Sequence, residues 1–413
     1  MGILVDILVG VTDHDGFGDV VSGVKVGEAL SKEGHNVRYV PGGGVVTAKM
    51  KAVFPDLVVS FDSWHEMVDI TTKNEHMLRI NVIGGLIERE DVEIQEFDRP
   101  VRLGETITFR PGIQNYGGRN RLICKYDIPS HMEEFPYTIP MFYAPHKNDE
   151  LPEPGEEDIR DVLIEAASSG TGDSLKRAIH DSRRIGVCYA YKYRSVATYI
   201  RQTVMASDDL GEGMAVVVLG NRALRHLGYD IEDGLNIIKE GRVSIIMLGD
   251  VPQTLATRLF WASEMPSLVT GDNSLSDVLY GLVFGKGQGF YYEKCKWKSG
   301  LYEGMHDLIE GQSAAAARLF SESTEDMGTS QHNAISTALY DGSVDAYVDV
   351  QREAFRRATG IHKRGPKSSA ITVQEAAIRM ASAFDEDRSL LRSLRRSANE
   401  EYKRATGIKR RAV

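Results

Sequence analysis

Residues 3–40 read ILVDILVGVTDHDGFGDVVSGVKVGEALSKEGHNVRYV, and this stretch decides the fold class. The apolar run Ile3 to Val11 predicts a buried strand. It carries Asp6, lacks a basic start and passes into Thr12-Asp13-His14-Asp15 without a small-residue cleavage site, so it does not read as a leader. A Gly/Asp loop follows from Thr12 to Asp19, then a helix from about Val20 to Gly34 and a second strand from Asn36 to Val40. A strand, a glycine-containing loop, a helix and a second strand in this order begin a parallel sheet. Such sheets gather their ligands at the C-terminal ends of the strands.

Outward from this start, strands are expected at Leu57 to Phe61 and at Arg79 to Ile83, the latter ending in Gly84-Gly85. Residues Val92 to Tyr143 are richer in β-type residues and in turns such as Asn115-Tyr116-Gly117-Gly118. Pro145 to Glu157 is crowded with Pro, Glu and Asp and suits an exposed connection. Beyond it the alternation resumes. Strands are expected at Arg184 to Tyr191, Met214 to Gly220, Arg242 to Leu248 and Ser267 to Thr270. Helices are expected at Ser195 to Ala206, at Gln253 to Ser263 and from Ser274 onward. After about Gly311 the chain turns helical, with Ser313 to Ser321 rich in Ala and an amphipathic candidate from Val373 to Arg404. The organisation read from this is an N-terminal α/β domain (1–150), a second α/β domain (158–311) and a helical extension (312–413) packing partly on both. Arg357 to Ile361 recurs as Arg404 to Ile408. Two copies at similar helix ends do not make a repeat array.

The length of 413 residues suits two α/β units, and 42% hydrophobic with 26% charged residues suits a globular chain. A net charge of −10 argues against a general nucleic-acid binder, which needs clustered Lys and Arg. Cys124, Cys188 and Cys295 stand too far apart for a disulfide framework or a paired zinc pattern and are expected to be reduced. No run approaches the roughly 18 apolar residues of a membrane span, so a cytoplasmic protein without a transmembrane segment is expected. The basic tail Lys403 to Arg411 reads as a solvated helix end or as a contact for an anionic partner.

Two loops carry candidate chemistry. In Asp13-His14-Asp15-Gly16-Phe17-Gly18-Asp19, Gly16 and Gly18 permit tight turns before a helix N-terminus, which favours an anion. Asp19 is able to cap the following helix. Asp15 has no capping role there, and as a cleft carboxylate it can take a proton from an acceptor. Asp13 and Asp15 also spell a D-x-D, which can hold a divalent cation on a diphosphate. The preferred reading uses no metal and no cofactor. In Thr270-Gly271-Asp272-Asn273-Ser274, backbone N–H groups and the Ser274 hydroxyl can cradle a diphosphate while Asp272 or Asn273 grips hydroxyls. An ordinary helix cap at Asn273 or Ser274 is equally compatible. Tyr189 and Tyr191, with Tyr291-Tyr292 later, offer rings for a base or plain packing, and Gln253 after Pro252 offers an amide for a pyrimidine edge.

In order along the chain, these segments resemble the bacterial arginine rhamnosyltransferase family that modifies translation elongation factor P. Asp15-Gly16-Phe17-Gly18-Asp19 resembles that family's D-N-F-G-D. Gly34, His35 and Val37 resemble its G-H-x-V, and the strand ending at Tyr189 and Tyr191 its F-x-Y. Pro252-Gln253, Arg258-Leu259, Trp261-Ala262 and Gly271 to Ser274 resemble P-Q, R-L-L-W-A and G-E-D-S. The resemblance covers about a quarter of the chain. It implies an inverting GT-B glycosyltransferase using a dTDP-rhamnose donor, with Asp15 and Asp19 catalytic, the tyrosines at a thymine and the Gly271 segment at the donor. The chain departs from the family at Asp272 (Glu there), Asn273 (Asp there) and Thr270 (Arg there), so Lys286, Lys294 or another cation must replace the missing charge, or the donor differs.

The expectation is therefore an α/β protein of two Rossmann-like domains facing a cleft (GT-B). It would move a sugar, such as a deoxyhexose, from a nucleoside diphosphate to an acceptor that can be a protein arginine. Paired carboxylates suit a guanidinium, which they can hold through two hydrogen bonds. An epimerase or hydrolase of the same architecture, or a non-catalytic nucleotide-sugar binder, are the competing expectations.

Overall fold

The computed structural model describes residues 4–9, 18–41, 44–54, 77–82, 105–116, 119–127, 157–167, 173–220, 235–249, 251–293, 299–322, 343–359, 377–378 and 381–382. The expected strand at Leu57 to Phe61, the linker up to residue 156 and nearly all of the expected helix from Val373 lie outside them.

The opening unit forms as read, with β1 (Leu4–Val9), α1 (Gly18–Lys32) and β2 (Asn36–Pro41), followed by α2 (Gly44–Val53) and β3 (Met77–Val82). β4 (Glu105–Tyr116) and β5 (Arg119–Asp127) make a long antiparallel hairpin from the β-rich region. The first sheet has the order β2-β1-β3-β4-β5. β1 runs parallel to both neighbours, and β3 parallel to β4. Val5, Ile7 and Val9 of β1 and Val20 and Val24 of α1 are all buried. Gly23 sits so close to β1 that a Cβ there would lie 2.8 Å from a methyl of Val9.

The second sheet is built from β6 (Arg184–Cys188), β7 (Met214–Leu219), β8 (Leu235–Glu240), β9 (Val243–Leu248), β10 (Ser267–Val269) and β11 (Phe290–Tyr292). Its order is β11-β10-β6-β7-β9-β8. The chain moves outward from β6 through β7 to β8 at the edge, folds back as β9 between β7 and β8, then returns to the other side of β6 for β10 and β11. The strand order thus reverses between β6 and β10, the point at which open α/β sheets form their crevice. Every residue of β7 and β9 is buried, which explains their unbroken apolar sequences.

The helices of this half are α3 (Ile159–Ala166), α4 (Asp173–His180), α5 (Tyr193–Leu210), α6 (Gln253–Ala262), α7 (Asp272–Val283), α8 (Ser299–Glu310), α9 (Ala314–Glu322) and α10 (Ser343–Thr359). α10 packs on α7, α8 and α9 and also touches β5, and α8 reaches both strands of the β4–β5 hairpin. The protein is thus α/β with two sheets of Rossmann type, as expected of the GT-B class. Each sheet is mixed rather than wholly parallel, because β5 and β8 run antiparallel at its edge. β8 returns into β9 through Gly241-Arg242, with Gly241 at φ 60°, a turn too short for a parallel crossover.

Candidate functional site

The crevice between β6 and β10 is lined by the segments that leave the C-terminal ends of the strands. β6 ends at Cys188, whose buried thiol has its pKa pushed well up by desolvation and by the nearby Glu293 carboxylate, so it stays protonated and unreactive. The next residues turn over the strand ends. Tyr189 donates its N–H to Leu268 O at 2.7 Å, and its ring lies beside Gly220 at the end of β7. The Tyr191 and Lys192 N–H groups donate to the two oxygens of Glu293 at 2.9 and 2.8 Å. Glu293 comes directly after β11 and is 1% exposed. This carboxylate fixes the loop that presents Tyr191 and Tyr193, both largely exposed. Tyr291, in contrast, is a core residue beside Tyr347.

β10 ends at Val269, and Gly271 starts α7 at φ 80°, a backbone setting that glycine adopts without strain. The N-cap position is Gly271, which has no side chain to cap with, so Asn273 and Ser274 stand inside the helix and not at the cap that their sequence position allowed. The first N–H groups of α7 find no acceptor within the helix, as at any helix N-terminus. Asp272 is the first residue of α7, and its side chain falls outside the described part of the chain. Asn273 is 5% exposed and turns toward the other half of the protein. Its Nδ2 donates to Gly18 O at 2.5 Å and to Ser22 Oγ at 2.8 Å, while its Oδ1 is buried without a protein partner among the described residues.

One turn further along α7, Asp277 accepts from Lys25 Nζ at 2.8 Å, and both side chains are fully buried. Its second oxygen accepts from Thr257 Oγ1 at 3.2 Å and, through a short hydrogen bond, from Gln253 Nε2. Gln253, expected at a base edge, therefore commits one amide hydrogen to Asp277 beside the crevice. Because Asn273 meets the first turn of α1 and Asp277 meets Lys25 farther along it, the two helices run in the same direction. Their N-terminal ends lie side by side at the C-terminal edges of both sheets.

Of the expected site residues, the structure brings together Gly18, Gln253, Gly271, Asn273 and Ser274 around this junction. Tyr189 and Tyr191 stand over the same sheet's crevice, after β6. Asp15, Gly16 and Phe17 lie outside the described residues, as do Asp13 and the side chain of Asp19, which is the second residue of α1. Arg258 is held instead by Glu157 and Glu165 on the α3 side. Lys286 lies over the Trp261 ring at 3.8 Å, and Lys294 is not described. Lys25, Asp277 and Glu293 were missed in the sequence. A signal existed for the first two, since each interrupts an apolar helical stretch, and a charge in such a place needs a partner.

His306, Asp307 and Glu310 form the one group among the described residues whose atoms are close enough to share a cation. They sit on α8 with both carboxylates largely exposed, a common surface arrangement. Among the described residues no helix is long and apolar enough to cross a membrane.

No family model matches the sequence, and no characterised protein matches it as a relative. Several solved structures are similar in shape. One is an EarP structure that explains arginine glycosylation of translation elongation factor EF-P, with 11% identity, 92% of this chain and 99% of that one covered, and a TM-score of 0.46. A calicheamicin glycosyltransferase gives 11% identity, 93% and 98% coverage and a TM-score of 0.42. S. aureus MnaA, solved with UDP, gives 10% identity, 94% and 97% coverage and a TM-score of 0.43. The architecture rests on the chain's own strand orders and pairings.

Proposed function

We propose that this protein is a GT-B glycosyltransferase that binds a nucleoside diphosphate sugar across the α1–α7 junction and transfers the sugar to an acceptor. The observation that supports this reading is the meeting of two helix N-termini at the C-terminal edges of two α/β sheets. Each N-terminus carries roughly half a positive charge, and two parallel ends side by side both favour an anion placed between them. A diphosphate suits that place, and the donor needs no cation to be held there. Tyr189 and Tyr191 take the base, the backbone N–H groups after Gly271 and the Ser274 hydroxyl take the diphosphate, and Asp272 takes a hydroxyl of the donor.

In this reading Asp15, three residues before Gly18 in sequence, removes the acceptor's proton while the acceptor attacks the anomeric carbon from the face opposite the diphosphate. The bond to the leaving oxygen breaks, its electron pair stays with the diphosphate, and the anomeric centre inverts. Asp19 assists. The motif resemblance makes dTDP-rhamnose the first donor to test and a protein arginine the first acceptor. A cytoplasmic setting belongs to the same reading.

The test is a thermal-shift panel of dTDP, UDP and GDP compounds and their sugars, with and without EDTA, because a ligand that binds only the native state raises its apparent stability. At least one is expected to stabilise the protein equally in EDTA. Asp15→Asn is expected to keep that shift and lose turnover. A panel with no shift, or a shift abolished by EDTA, overturns the donor site; full turnover by the variant removes Asp15 from the chemistry.

A further inference from the structure

We infer that Asn273 and the buried Lys25–Asp277 pair are positioning residues, a polar clasp that holds the first turns of α1 and α7 at the separation the donor site requires. The inference rests on the proposed function for its consequence, although its test does not. Gly18, Ser22 and Lys25 fall at i, i+4 and i+7 of α1, and Asn273 and Asp277 at i and i+4 of α7, so each set forms one stripe along its helix. The stripes meet tooth to tooth: Asn273 on Gly18 and Ser22, Asp277 on Lys25. The partners stand more than 250 residues apart in sequence and join the two sheets' units.

The chemistry of residue 273 identifies the clasp. Gly18 offers a carbonyl, which has no hydrogen to give. Asn273 must therefore present its NH2 toward α1, and an acid at this position has nothing to donate. A residue serving α7 alone would favour the acid, because a negative charge in the first turn of a helix interacts favourably with its dipole. The two roles thus predict opposite signs for one nearly isosteric substitution. Lys25–Asp277 adds a further requirement: each charge is fully buried and tolerable only while the other is present, so the helices cannot separate without leaving both unpaired or hydrated. Gln253 and Thr257 of α6 hold the second Asp277 oxygen and keep the carboxylate aimed at Lys25.

The experiment is hydrogen exchange on the ligand-free full-length chain. In Asn273→Asp, amides of α1 and α7 are expected to exchange about tenfold faster, while β6, β7 and β9 keep wild-type protection. Lys25→Met is expected to loosen the same two helices, and the swapped pair Lys25→Asp/Asp277→Lys to restore at least part of the lost protection. Unchanged or slower exchange in α1 and α7 of Asn273→Asp overturns the clasp, as does an equal rise across β6, β7 and β9. Should Asn273→Asp not fold, Lys25→Met decides: faster exchange confined to α1 and α7 supports the clasp, and exchange unchanged there, or raised equally across β6, β7 and β9, overturns it. A nucleotide panel without a shift sinks the proposed function and leaves these exchange results standing.

Discussion

Glu293 shows how one side chain can organise a loop. Its two oxygens accept from consecutive backbone amides, which places the chain at Tyr191 and Lys192 against the end of β11. Glutamine at this position would keep the size but replace one acceptor by a donor, facing an N–H with an N–H. Glu293→Gln is therefore expected to destabilise the protein by about 1–3 kcal/mol, the cost of an unmatched buried donor. Chemical denaturation measures the loss, and hydrogen exchange at Tyr191 and Lys192 locates it. Wild-type stability in this variant would mean that the loop holds its place by other means. At this scale the sequence was least informative. Glu293 comes after the three-residue strand Phe290–Tyr292, and nothing local distinguishes it from a surface glutamate.

At the scale of elements, α10 finishes an edge. β11 is the outer strand of its sheet, and Gln351 stands where another strand would. Its Oε1 accepts from the Phe290 N–H at 3.0 Å, its Nε2 donates to Phe290 O at 2.8 Å, and the Tyr347 hydroxyl donates to the same carbonyl at 2.7 Å. Gln351→Leu should orphan the buried N–H while Tyr347 still serves the carbonyl, costing about 1–3 kcal/mol in a denaturation midpoint. An unchanged midpoint would show that the edge is satisfied otherwise. The interior strands were readable because strands buried on both faces are unbroken apolar runs, as in Met214 to Leu219. β8 (LNIIKE) mixes apolar and charged residues at an edge, β11 is too short for a pattern, and neither was anticipated. The Gly271 junction was visible because a glycine between a strand and a helix is a local signal. The Lys25–Asp277 pair was invisible as a pair, since its partners lie 252 residues apart.

For the molecule as a whole, charge networks join elements that the sheets alone leave apart. Arg258 of α6 reaches Glu157 and Glu165 and so ties α6 to α3 and to the chain entering it. The hydrogen bond from Arg258 holds the Glu165 carboxyl below its ordinary pKa of 4.5, with their Coulomb attraction adding to it. A carboxyl whose pKa is lower when folded stabilises the protein above its unfolded pKa. That contribution disappears as pH falls through the folded value. The stability gap between wild type and Arg258→Gln is thus expected to be widest at neutral pH and to shrink as the pH drops below 4.5. Urea midpoints across that range measure it. A gap independent of pH would assign Arg258's contribution to packing.

The finished edge also has a consequence in time. Gln351 lies 61 residues beyond Phe290, so at ordinary translation rates it leaves the ribosome roughly 3–12 s after the strand it completes. For that interval β11 has its partner β10, and β6 beyond it, already synthesised but no cover for its outer amide and carbonyl. Until Gln351 arrives, the nascent chain is open there to pairing with the edge of another chain.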